Sequence, residues 1–292
     1  MEILDKISKG NANVENIRQQ LFNVQKIQLH PNLEGFNSPN GFGIYKGSGG
    51  DALGVVGKDF EPTQPELILD SFVECLIEAN IDLSSLKYQT FKDDKKIKFS
   101  ADLKPIEFIN QRKLNDITKI SLSIITGFDG YTKTSMSLDS FRLACLNGMV
   151  VKDTSINVSF KNTKGNIGRA SSLCYDASRV IANMDNVAEQ FKQLNSLDIL
   201  ETDVNKFMFK LLGYSQKEYN ELNANKRNIL DKINASVGLE FSRSGSTAWG
   251  LLNGITHYTN HIANAKNRED YIYFDTGAKL NTKAQGLVLA ML

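Results

Sequence analysis

Cysteine is scarce, and its three residues, Cys75, Cys145 and Cys174, lie far apart with no C-x-x-C spacing. That pattern excludes a disulfide frame and a zinc cage, and reads as reduced thiols in a cytosolic protein. Five prolines are too few for a long extended linker. No uninterrupted apolar run approaches the roughly 18 residues of a membrane span. The opening residues, MEILDKISKGNANVENI, lack an apolar h-region, so no signal peptide is expected. An excess of one charge is missing too. With 34 basic and 33 acidic residues the formal net charge is +1, so the molecule as a whole is no polycation built to coat nucleic acid. An anionic partner would have to be held by a local patch.

What remains is ordinary globular material. At 292 residues, 41% hydrophobic and 23% charged, the chain can bury one large core or two modest ones. No internal repeat is evident. After an N-terminal extension, 1–39, two textures follow. Residues 40–168 favour strands. "FGIYKGSGGDALGVV" reads as strand, Gly-rich turn, strand, and "KYQTFKDDKKIKF" as a hairpin with a charged turn. "KISLSIITGFDGYTKTSMSL" alternates apolar and polar residues around a Phe128-Asp129-Gly130 turn, and "INVSF" is a short strand. A helix is expected from Pro65, with Leu69, Phe72, Val73, Leu76 and Ile77 as its apolar stripe. Residues 169–292 are helical in pattern, with segments near 173–194, 203–212, 216–233, 247–265 and 279–292, and with Thr202 and Ser215 at N-cap positions. Strands first and helices afterwards predict an α+β fold, the halves packed as one domain or as two intimately joined subdomains.

The Gly-rich "KGSGGDALG" lacks the Lys-Ser/Thr of a phosphate-binding loop and precedes a strand, so it reads as a hairpin turn. His257 and His261 have the i, i+4 spacing of zinc hydrolases, but Tyr258 stands where the general base would be. No G-x-S-x-G elbow is present. No catalytic residue, metal or cofactor is therefore assigned. On a helical wheel, Ala248, Leu251, Leu252, Ile255, Tyr258 and Ile262 face the core. Gly250, Gly254, His257 and His261 form an opposite strip, where glycine allows a backbone, a partner subunit or a ligand to come close. That strip is the candidate interface, including one between copies in a homo-oligomer.

Two basic clusters point to nucleic acid. Lys161, Lys164 and Arg169 lie in a loop between strand and helix, with Phe160 nearby and Arg179 in the following helix. In the second, Lys92, Lys95, Lys96 and Lys98 interleave with Tyr88, Phe91 and Phe99, as in single-strand binders that combine cationic grooves with stacking surfaces. Asp93 and Asp94 offset part of that cluster.

Five segments, "LGVVGKDFEPTQPE", "FRLACLNGMV", "FKNTKGNI", "TAWGLLNGITHYTNH" and "YFDTGAKLNTKA", occur in the order and spacing of one family. Together they resemble the phage/plasmid-like protein family, a domain of unknown function found in phages, plasmids and integrated elements. The resemblance implies a mobile-element protein in the cytoplasm of a bacterial host, associated with replication and recombination genes. It also implies that His261, not His257, is the family feature, and it marks Arg142 and Asn147 without giving them roles. The resulting expectation is a non-enzymatic binder of single-stranded DNA, similar to single-strand annealing proteins. The alternatives are a protein-interaction factor acting on host machinery and, last, a metal-dependent hydrolase.

Overall fold

The computed structural model describes residues 2–29, 41–48, 50–142, 147–151, 158–166, 173–215, 217–218 and 221–292. The fold is α+β, with antiparallel sheets in the N-terminal half and helices in the C-terminal half. The chain forms two compact units that interleave along the sequence instead of dividing at residue 168. Unit 1 comprises Met1–Leu103, Ser121–Leu138 and Asp153–Ala182, and unit 2 comprises Lys104–Ile120, Asp139–Lys152 and Asn183–Leu292.

Unit 1 opens with α1 (Glu2–Gln20), then a sheet of β1 (Val24–Gln28), β2 (Phe42–Lys46) and β3 (Ala52–Val56) in that order. The Gly-rich stretch is the β2–β3 turn, where the Lys46 N–H meets the Asp51 carbonyl at 3.0 Å. Helix α2 (Pro65–Glu78) starts at its proline. It buries Ile68, Leu69, Phe72, Cys75 and Leu76, while Ile77, one residue beyond that stripe, is exposed. Two longer strands, β7 (Asn115–Gly127) and β8 (Thr134–Arg142), contribute to both units. In unit 1, the order is β10 (Val158–Phe160), β8, β7, β5 (Lys96–Asp102), β4 (Lys87–Phe91). The alternation of Ile120, Leu122 and Ile124 puts all three in the core. Helix α3 (Leu173–Ala182) packs on α2.

In unit 2, β6 (Ile106–Ile109) pairs with the first residues of β7, and β9 (Asn147–Val151) pairs with β8. Asn147 and Gly148 therefore begin a strand and do not form a turn. Among the described residues the following helices come next: α4 (Met184–Ser196), α5 (Glu201–Leu212), α6 (Ala224–Ser244), α7 (Ala248–His257), α8 (Arg268–Tyr273) and α9 (Thr276–Leu289). Thr202 lies inside α5, whose first turn is closed by the Leu200 N–H on the Asp203 carboxylate at 3.4 Å. Ser215 does cap a helical start, reciprocally with Glu218, but among the described residues the helix does not run on to 233, since 221–223 are not helical. Asn223 interrupts that stretch because its side chain accepts the Lys226 N–H and starts α6 afresh. Helix α7 packs against α6, α9, α4 and β9, and every residue from Ala248 to Thr256 is buried. No helix among the described residues is long and apolar enough to cross a membrane.

Candidate nucleic-acid interface

One end of the unit 1 sheet gathers three turns. The β4–β5 turn holds Lys92, Asp93 and Asp94 at φ of 54°, 54° and 62°, a left-handed run that folds the strand back at once. In the β7–β8 turn, the Asp129 carboxylate accepts the N–H groups of Tyr131 (3.0 Å) and Thr132 (2.8 Å) and the Thr132 hydroxyl (2.8 Å). Gly130 lies at φ +82°, where a side chain would also press Val56. The first two turns are joined by the Phe128 N–H on the Lys95 carbonyl at 2.8 Å. The third turn, 161–166, leaves β10 and is fastened by Asn162. This buried amide donates to the Gly127 carbonyl (3.0 Å) and accepts from the Thr134 hydroxyl (2.6 Å).

The fastening brings the two basic clusters to the same end of the sheet. Lys161, Lys164 and Lys133 are exposed there, with Lys92 and Lys95 half-buried beside them. Lys46 pairs with Asp94 at 2.5 Å, and Lys96 with Asp129 at 3.4 Å. The Lys46 hydrogen bond holds the Asp94 carboxyl below its ordinary value against the opposing effect of burial. Burial would raise Asp129, but the donors of Thr132 and Tyr131 outweigh it and keep that carboxyl low. Both acids are thus fixed anions that subtract from the basic patch.

Several expected members are elsewhere. Lys98 is only 3% exposed, because β5 lies inside the sheet and all of Ile97 to Ala101 is buried, so it forms no part of the surface. Arg179 is exposed on α3, and Arg169 lies outside the described residues. The interleaved aromatics are not a stacking surface. Phe91, Phe99 and Phe160 are buried, and Tyr88 is stacked on Phe99 with centroids 5.3 Å apart and its hydroxyl enclosed. The aromatic that does stand out is Tyr131, 90% exposed on the β7–β8 turn between Asp129 and Lys133. Sequence reasoning passed over it and Lys133 because both sit in "FDGYTK", a stretch read only as a turn signal.

The glycine strip of α7 has a different occupant from the one expected. A Cβ on Gly254 would lie 2.5 Å from Val237 Cα, and one on Gly250 would lie 2.6 Å from the Gly245 carbonyl oxygen. The close approach is made by α6 of the same chain, so Gly250 and Gly254 are interior and not a surface for a partner. His257 is half-buried, its Nδ1 3.3 Å from the Ser236 hydroxyl, and His261 is exposed with its ring centroid 5.0 Å from that of His257. Ile262, placed on the core face by the wheel, is exposed because Tyr258–Ile262 form a π-turn that shifts the register at the helix end.

Arg142 has a clear place. Its guanidinium grips Asp116 through Nε (2.7 and 2.8 Å) and Nη2, and meets Glu240 through Nη1 at 2.6 Å. Arg243 closes on the other oxygen of Glu240 at 2.9 Å, and the Trp249 indole N–H reaches Asp116 at 3.3 Å. Arg142, Asp116 and Glu240 are all buried. The group ties β7, β8, α6 and α7 together within unit 2.

Residues 52–284 match the family model described as "Domain of unknown function (DUF932)". The chain belongs to the DUF932 family. No curated protein and no solved structure matches it. The DUF932 span runs from β3 into α9 and so takes in all three turns of the sheet end, the Arg142 group and the α6–α7 contact.

Proposed function

We propose that this DUF932 chain is a non-enzymatic mobile-element protein that binds single-stranded DNA in replication or recombination, as single-strand annealing proteins do. The mobile-element setting rests on the resemblance of its five motifs. The reading is carried by one observation: lysines from three separate turns, Lys92 and Lys95, Lys133, and Lys161 and Lys164, converge at one end of the unit 1 sheet. Backbone phosphates are the anions that such a dispersed set of flexible cations suits, without sequence readout.

The test is fluorescence anisotropy with labelled oligonucleotides over a salt series. Affinity should fall steeply with salt, and replacing both Lys161 and Lys164 by Ala should lower the slope by roughly 0.7 for each single-strand phosphate that is no longer neutralised. No binding to any oligonucleotide at about 50 mM salt would overturn it. A second reading, a factor that binds a host protein, draws on the β6–β7 hairpin, where Ile109 and Leu114 are 62% and 57% exposed. Substitutions there that abolish binding to a host protein and leave oligonucleotide binding intact would favour it.

A further inference from the structure

Resting on that reading, we infer that Tyr131 is a base-stacking residue, which gives the site its preference for unpaired over duplex strands. The ring is 90% exposed, yet the backbone beneath it is held firmly. Its own N–H and that of Thr132 are fixed on Asp129, Phe128 is hydrogen-bonded to Lys95, and Gly54 of β3 lies close against the Phe128 carbonyl and Asp129. A side chain with few rotors on a fixed turn loses little entropy when a flat partner covers it. The cations around it define what that partner is. Lys133 is two residues on, Lys95 is bonded to the same turn, and Lys161 and Lys164 follow Phe160, which pairs with Thr134. A strand whose phosphates follow these lysines brings its bases within the reach of one aromatic face. Bases in a duplex are stacked on each other and offer no free face, so the ring discriminates while the lysines do not.

The experiment uses the full chain, an oligothymidylate and a duplex of equal length. Tyr131→Ala should weaken single-strand binding by roughly five- to 150-fold, the equivalent of one stacked base, with the salt slope and the weak duplex affinity unchanged. Tyr131→Phe should restore it, since stacking needs the ring and not the hydroxyl. Tyr131→Trp should place an indole whose emission is quenched by saturating oligothymidylate, against a background of the single buried Trp249. Wild-type affinity in Tyr131→Ala, or unmoved emission in Tyr131→Trp at saturation, overturns the inference and leaves the lysine reading standing. A wild-type chain that binds neither oligonucleotide overturns both.

Discussion

The Asn162 amide donates to the Gly127 carbonyl at 3.0 Å, and this bond ties the loop bearing Lys161 and Lys164 to the end of β7. The same side chain accepts from the Thr134 hydroxyl and donates at 3.3 Å to the Thr132 carbonyl. Asn162→Ala would remove these hydrogen bonds, leaving the Thr134 hydroxyl with Thr126 at 2.7 Å, at a cost of about 1–3 kcal/mol. Urea denaturation should show that loss, and amide exchange should quicken across residues 161–166. Unchanged exchange there would mean that the bridge at Phe60 and Thr163 alone holds the loop.

Gly254 should tolerate no side chain. Its missing Cβ faces the Val237 backbone, which cannot rotate away as a side chain can. Gly254→Ala should destabilise by about 1–3 kcal/mol, and Gly254→Leu by more. Gel filtration of the alanine variant should give the wild-type elution volume. A changed assembly state with unchanged stability would restore the glycine strip as a subunit seam.

Removing Arg142 should be far more damaging than its single charge suggests. Arg142→Ala would take from buried Asp116 the cation that grips it and leave Glu240 with Arg243, a loss of about 3–5 kcal/mol. Arg142→Lys should recover little, because an ammonium cannot make the forked contact with Asp116 while also reaching Glu240. Denaturation midpoints of the two variants should therefore lie close together. A lysine variant as stable as wild type would show that only the charge counts.

The imidazole of His257 lies below its ordinary value of 6.5, first because burial disfavours its charged form and then through His261; Arg243 adds to this and Glu240 opposes it. Above pH 6.5 folded and unfolded chains both leave the ring neutral. As pH falls below that value, the unfolded chain takes up the proton first, so stability declines until the lower folded-state value is passed. Urea midpoints measured from pH ~7.5 down to pH ~5 should fall more for wild type than for His257→Gln. Parallel curves would count against the desolvated ring.

The hairpins were legible in the sequence because alternation and turn chemistry are local: Ile120, Leu122 and Ile124 needed no knowledge of their partners. Pro65 likewise announced its own helix. Lys98 was misplaced for the converse reason. Charge next to Ile97 and Phe99 looks like a solvent face, unless β4 and β7 are known to flank the strand and α2 to pack on it. The basic clusters were readable one by one, whereas their meeting depends on Asn162, a residue with no signature beyond being polar. Arg142 is separated from Asp116 by 26 positions and from Glu240 by 98, so only the fold could reveal that one guanidinium serves both carboxylates. Gly250 and Gly254 correctly announced a close approach, but a wheel shows which side is narrow and not whose backbone fills it.

The passage of β7 and β8 through both units sets a limit on how this protein can be shortened. Ile120 and Ser121 are neighbours on one strand yet belong to different units, and so are Leu138 and Asp139. No single cut of the chain separates the two units. A fragment of unit 1 alone would need three separate stretches of chain rejoined by new connections, and one cut after Ala182 would carry Lys104–Ile120 and Asp139–Lys152 without the rest of unit 2.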